Sequence, residues 1–242
     1  MARTDTLGNF LTDVADAIRE KKGTSDTIQA SNFDTEITNL PGGSGLDWRA
    51  IGYETAPQSV INGFNYAKQI KDNWVLATSL QSKFVNDKNL VYMPLVDTSI
   101  TTSMFAMFQN CTNLINIPQL DTSNVTNMGE MFFSCNQLQT IPQLDTNNVT
   151  NMSEMFDYCG NLLNIPLLNT SNVESMNNMF NSCNKLTDEA LNNILKMCIN
   201  ATSYTGTKTL KTLGMYPSTY PASRMEALSN YQDFINAGWT LQ

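Results

Sequence analysis

A period of 24 residues governs this chain. Cys111, Cys135, Cys159 and Cys183 stand 24 positions apart, and the same step relates Met104, Met128, Met152 and Met176. It relates Met107, Met131, Met155 and Met179, then Phe108, Phe132, Phe156 and Phe180, then Leu114, Leu138, Leu162 and Leu186. It carries Ile117 to Ile141 and Ile165, and Pro94 to Pro118, Pro142 and Pro166, while Leu80, Phe84 and Leu90 mark a degenerate earlier copy. Self-similarity at one fixed step is the signature of a repeat architecture. A unit this short cannot bury its own Met, Phe, Leu and Ile, so neighbouring units must stack into a continuous core, with paired strands about 4.8 Å apart.

Each unit reads LDTSNVTNMxxMFxxCxxLxxIPx with small variations. The LxxIP portion is expected to supply a short strand, its proline suiting a strand end. The MxxMFxxC portion has apolar spacings of three and four, which predicts one or two helical turns with one buried face. Ser103, Asn127, Asn151 and Ser175 precede it as N-cap types, and Glu130 and Glu154 complete a capping box in the two middle units. The expected fold is an α/β repeat solenoid: leucine-rich-repeat-like, right-handed coils of about 24 residues, each a short strand plus a short helix, capped at both ends by helical segments.

The repeat resembles the BspA-like leucine-rich repeats of bacterial surface proteins, in the variant built on DTSNVTNMxxMFxxCxxL, present here as Asp121–Leu138 and Asp145–Leu162. The resemblance covers roughly residues 73–190. It implies adhesins and surface-recognition modules, and a fold by itself does not choose a ligand.

The flanks differ from the repeat. Leu7, Leu11, Val14 and Ile18 predict an amphipathic helix ending near Gly23, and PGGSG at 41–45 reads as a linker. The wording LTDVADAIREKKGTSDTIQASNFDTEI resembles an N-terminal segment of tail and baseplate-associated phage and prophage proteins, and the TGTKTL to GWTLQ ending resembles those of phage-associated repeat proteins. Those resemblances imply attachment or oligomerisation, possible trimers included, through residues 1–40 with Leu7, Leu11, Val14 and Ile18 as the seam; a helical cap folded on the same body is the alternative. Residues 46–72, with Val60, Ile61, Phe64, Ala67 and Ile70 at helical spacing, are expected to cap the N-terminal end of a solenoid of about five coils over 73–190. Residues 187–242 are expected to cap the other end: Thr187 with Asp188 and Glu189 starts one helix, and Ser223 with Glu226 starts a second running to about Ala237 and closed by Gly238.

Composition narrows the chemistry. The chain has no histidine, which removes Ser-His-Asp and Cys-His catalysis and the usual histidine-containing metal sites. A net charge of −8 argues against a nucleic-acid partner. No apolar run of membrane-spanning length occurs, so no membrane insertion is expected, and the start lacks a secretory-signal profile. The five cysteines lack CxxC spacing and are read as buried thiols. The column Asp97, Asp121, Asp145 and Asn169 offers one carboxylate per coil, too few for calcium, and is read as turn stabilisation. Glu130, Glu154 and Glu174 form no evident acid–base pair. Neither cofactor nor metal nor enzymatic activity is expected.

Recurring positions build the scaffold, so recognition is assigned to the variable ones: Phe133, Tyr158, Asp157, Gln119, Gln143, Gln139, Thr140 and Asn164. Rings and amides of this kind suit a bacterial surface glycan or protein. The expected setting is a phage or prophage virion, as a tail-fibre or receptor-binding component made in the host cytoplasm and joined to other virion proteins through residues 1–40. A BspA-like cell-surface adhesin and a structural virion decoration protein are the alternatives.

Overall fold

The computed structural model describes residues 66–67 and 69–241. Its centre is a stack of the 24-residue units. Parallel bridges join Ser79 to Ser103, Ser103 to Asn127, Asn127 to Asn151 and Asn151 to Ser175, so equivalent residues of successive coils lie side by side. The pairing is short but regular: Thr126 N–H donates back to Thr102 and Met128 N–H donates forward to Asn151.

This seam lies at Thr-Asn-Met, ahead of the segment expected to be helical, and LxxIP forms a second, interrupted seam. There Ile115 N–H reaches Val91, Leu163 N–H reaches Gln139 and Thr187 N–H reaches Leu163. Proline lacks an N–H and cannot extend that pairing.

The MxxMFxxC stretch is not a helix. Every fourth residue of it takes a left-handed conformation, as at Ala106 and Asn110, Glu130 and Ser134, Glu154 and Tyr158. The N–H groups of Met107, Gln109 and Cys111 close tight turns onto Met104, Ala106 and Phe108, while those of Ala106, Phe108 and Asn110 cross to Gly129, Met131 and Phe133 of the next coil. A helix would turn its N–H groups onto carbonyls four residues back in its own coil; here every second N–H goes to the neighbour instead. The apolar spacing of three and four is therefore real, but it reports a chain of turns with one buried face. Glu130 and Glu154, at φ 55 and 57, are accordingly not capping-box residues. Asn127 and Asn151 instead accept the N–H two residues on, both at 3.0 Å, in Asx turns.

The core is columnar. Phe84, Phe108, Phe132, Phe156 and Phe180 stack with centroids 5.5–5.8 Å apart, and Trp74 adds a ring at the N-terminal end at 6.4 Å. All five cysteines are buried and free. The thiols of Cys135, Cys159 and Cys183 each donate to the carbonyl of the phenylalanine one coil back, at 3.0–3.1 Å. Burial pushes the Cys111 thiol up to about 12 and holds those of Cys135 and Cys159 well above the usual range, so these side chains act as small apolar groups. Buried Thr98, Thr122 and Thr146 donate to carbonyls of the next coil at 2.8–2.9 Å. Asp97, Asp121 and Asp145 accept the N–H two residues on, which places this column in turn formation.

The stack ends differently. Residues 66–67 and 69–72 are helical, Ala67 is buried, and Tyr66 Oη donates to Asp87 at 2.5 Å. At the other end α1 (Asp188–Asn200) begins where Thr187 accepts the Ala190 N–H, and it buries Leu191, Ile194, Leu195 and Cys198. The chain then returns to the stack, because Asn178 and Phe180 donate to Thr212 and Leu213. The expected second helix is two pieces, α2 (Ala222–Glu226) and α3 (Tyr231–Asn236). Pro221 occupies the N-cap of α2, which has no side-chain cap. Arg224 holds α2 to Asp188 at 2.7 Å, and Tyr220 Oη donates to the Cys183 carbonyl.

Candidate recognition surface

The variable positions fall into separate groups. One follows the tight turns. Phe133 and Asp157 are equivalent residues of adjacent coils, and Ser134 N–H donates to the Asp157 carbonyl. Tyr158 follows Asp157 in the chain and meets Phe133 with centroids 5.8 Å apart and rings inclined by 59°. Phe133 is half-buried, while Tyr158 is 51% exposed.

Tyr158 is unusual for its place. Other coils put Asn86, Asn110, Ser134 and Ser182 at this left-handed position. Small polar residues tolerate such a backbone, whereas a bulky ring there is strained. At φ 59 Tyr158 keeps the backbone of the column and gives up the side-chain type that suits it. Strain of this kind is held in place by surrounding structure and gathers at functional sites. Here the Tyr158 N–H is bonded to the Asn181 carbonyl at 2.9 Å.

Acidic residues share the turns of the ring pair, because Phe133 N–H donates to the Glu130 carbonyl and Asp157 N–H to the Glu154 carbonyl. Asp157 is 4% exposed and accepts Asn181 Nδ2 at 2.8 Å. Burial raises it to about 6; the Asn181 bond is the strongest opposing influence, and the Glu154 charge adds a smaller upward push. Glu130 is also raised, by burial first and then by Glu154, while Gln109 donates to it at 2.5 Å. The variable columns mark Phe133, Asp157 and Tyr158, but the Gln109–Glu130 bond has no such mark, because a contact between different columns of adjacent coils leaves no trace in the period.

The second group lines a shallow groove of about 330 Å³ formed by Gln119, Gln143, Leu167 and the neighbouring Asp145, Asn147 and Asn169 turns. The amides of this group are already in use: Gln119 donates to the Gln143 carbonyl at 2.5 Å and Gln143 to the Leu167 carbonyl at 3.1 Å. A third group, Gln139, Thr140 and Asn164, lies on the LxxIP seam. Gln139 accepts the backbone N–H groups of Leu163 and Asn164, Thr140 sits exposed beside it, and Asn164 Nδ2 reaches Glu189 at 3.0 Å. The structure thus joins Phe133, Asp157 and Tyr158, and separately joins Gln119 to Gln143. Leu7, Leu11, Val14 and Ile18 lie outside the described residues.

These columns and ladders define a stacked-repeat protein with a few side chains displayed on it. The family model described as Mycoplasma protein of unknown function, DUF285, matches residues 78–204, and the chain belongs to that family. The match is consistent with a BspA-like repeat protein and does not extend to residues 1–40. No curated protein and no solved structure matches the chain. Among the described residues no helix is long and apolar enough to cross a membrane.

Proposed function

We propose that this chain is a leucine-rich-repeat-type solenoid that works by recognition without catalysis, binding a bacterial-surface ligand at the Phe133–Tyr158 face. The observation that carries the reading is Tyr158, an exposed aromatic ring at a left-handed position that the other coils fill with Asn or Ser. Rings that stand clear of a fixed scaffold offer area without a large ordering cost, which is how aromatic anchors contribute to binding. Membership of a BspA-like repeat family is compatible with adhesin and recognition roles.

Resemblance of residues 1–40 to phage tail and baseplate-associated segments supports a virion setting, as a tail-fibre or receptor-binding component with the repeat stack displayed. A bacterial cell-surface adhesin is the second reading, and the family match favours it. Labelled full-length chain is expected to bind whole bacterial cells saturably, with binding lost in Tyr158→Leu and Phe133→Leu. Cell binding unchanged in both variants would overturn the assignment of this face. Loss of particle incorporation on deleting residues 1–40 is the outcome expected of a virion component attached through them; retention would overturn that attachment, and absence of the full chain from particles would favour the adhesin.

A further inference from the structure

The ring pair stands on a surface with no cation of its own. From Asn89 to Asn184 the chain has seven acidic residues and neither lysine nor arginine. Two other rings do carry cations: Lys83 lies 5.8 Å from the Trp74 ring and Arg224 lies 5.8 Å from the Tyr220 ring, both flanking the middle coils. No such contact is made to Phe133 or Tyr158 among the described residues. The Glu130 carbonyl accepts the Phe133 N–H at 3.0 Å and the Glu154 carbonyl the Asp157 N–H at 3.1 Å, so these acidic residues share the turns that carry the ring pair, and the charge of Glu154 acts on both Glu130 and Asp157.

Ring faces present negative potential and attract cations, most strongly those that are weakly hydrated. A field of one sign over the whole middle of the stack adds long-range attraction for the opposite sign and repels an anionic chain. Neutral sugar would use the rings and leave that charge without a purpose in binding. We infer that the Phe133–Tyr158 face docks an ammonium group carried by a bacterial-surface polymer, the cation lying against the Tyr158 ring with Glu130 and Glu154 as its electrostatic surround. This rests on the recognition reading above and names the chemistry of its ligand.

The test uses the full chain with isotope-labelled aromatic rings, titrated with choline chloride and with 3,3-dimethylbutan-1-ol, its uncharged carbon isostere. Choline is expected to shift the Tyr158 and Phe133 resonances at least about threefold more tightly than the isostere, the factor an exposed cation–ring contact supplies. Added salt and Glu154→Gln are expected to weaken choline and leave the isostere unchanged. Tyr158→Leu, which keeps the net charge, is expected to abolish the preference while the backbone amide spectrum stays folded. Equal shifts from both compounds, or none from choline, would overturn the inference. If Tyr158→Leu still loses cell binding in that case, the recognition reading stands and only the cation falls. A choline preference without binding to any cell would instead overturn the surface polymer. Displacement of choline by a lysine-rich peptide but not by an ammonium-bearing wall polymer would do the same.

Discussion

The repeat stack and the segment after it, residues 187–241, solve one backbone problem in opposite ways. Ten non-glycine residues of the stack, from Ser82 to Ser182, sit at positive φ, and glycine fills none of those places. The later segment has two positive-φ residues, Gly214 and Gly238, both glycine. In the stack nine of the ten left-handed residues donate their N–H to a carbonyl of the layer that follows, as Glu130 does to Ser153 and Glu154 to Asn177. The conformation is imposed by the coil next door, so the local residue need not favour it. Past α1 no neighbouring repeat supplies that constraint, and the residue itself must allow the turn. Stacking therefore releases side chains from backbone duty, which is what lets a Tyr stand at position 158.

The largest test of this contrast lies in the core. Phe132 and Phe234 are both fully buried. Phe132→Ala removes a ring that touches Phe108 and Phe156, each at 5.5 Å, and is expected to cost about 3–5 kcal/mol. Because each coil depends on the next, that loss should lower the urea midpoint of the whole stack. Phe234→Ala removes a similar area but releases Trp239, 6.0 Å away, and the end it closes. Hydrogen exchange should then show early opening of residues 204–241 with protection kept around Phe132. A single shared transition in both variants would erase the distinction between the two regions.

Next in size is Asp157, compared with Asp121 in the same stack. Burial raises Asp157 to about 6, above the ordinary aspartate value near 4. Its folded form prefers the proton, so its contribution is fully present below about pH 4 and is lost as pH rises through about 6. Asp157→Asn is expected to gain about 1–2 kcal/mol at pH 7.5 and nothing at pH 3.5, read as urea midpoints. Asp121 is exposed and is held below the usual range by the Ser123 hydroxyl and N–H. Its contribution has the opposite sense, present at neutral pH and lost on acidification, so Asp121→Asn should bring no gain at pH 7.5.

A third comparison sets a buried hydroxyl against an exposed one. Thr146 is 2% exposed and donates to the Asn169 carbonyl at 2.9 Å. Thr146→Val keeps the shape, removes the bond and should cost about 1 kcal/mol in thermal or urea unfolding. Thr205, exposed in the later segment, donates to the Glu174 carbonyl at 3.1 Å, and Thr205→Val should cost less because water replaces it. Equal costs would mean that burial does not set the value of these cross-coil bonds.

Much of this organisation could be read from the residues alone. The period fixed which side chains meet, since Phe108, Phe132 and Phe156 recur at one step and stack in one column. Thr187 with two acids behind it marked the start of α1. What misled was the spacing in MxxMFxxC, which a helix and a chain of turns satisfy equally because both present one face at intervals of three and four. Hydrogen bonds to a neighbouring coil leave no trace in a single unit, so Glu130 read as a cap and proved to be a left-handed turn residue. Phe133 and Tyr158 were visible as departures from their columns. Their contact was not, because it joins different columns of adjacent coils.

The smallest expected effect bears most directly on why the two regions differ. Glu154 stands at φ 57, where a β-branched side chain clashes with its own backbone and glycine does not. If the adjacent coils impose this conformation, Glu154→Gly should relieve strain, offset in part by the freer unfolded chain, for a net change within about 1 kcal/mol of zero. Glu154→Val should cost about 1–2 kcal/mol at the same site. Gly238 is the counterpart, at φ 83 with open space for 4 Å around the point a Cβ would occupy, so Gly238→Ala tests the backbone alone. It should cost about 1 kcal/mol, read as loss of hydrogen-exchange protection confined to the last residues. A clear gain from Glu154→Gly beside a negligible cost at Gly238 would reverse the argument, placing the strain in the repeats and none of the requirement at the end.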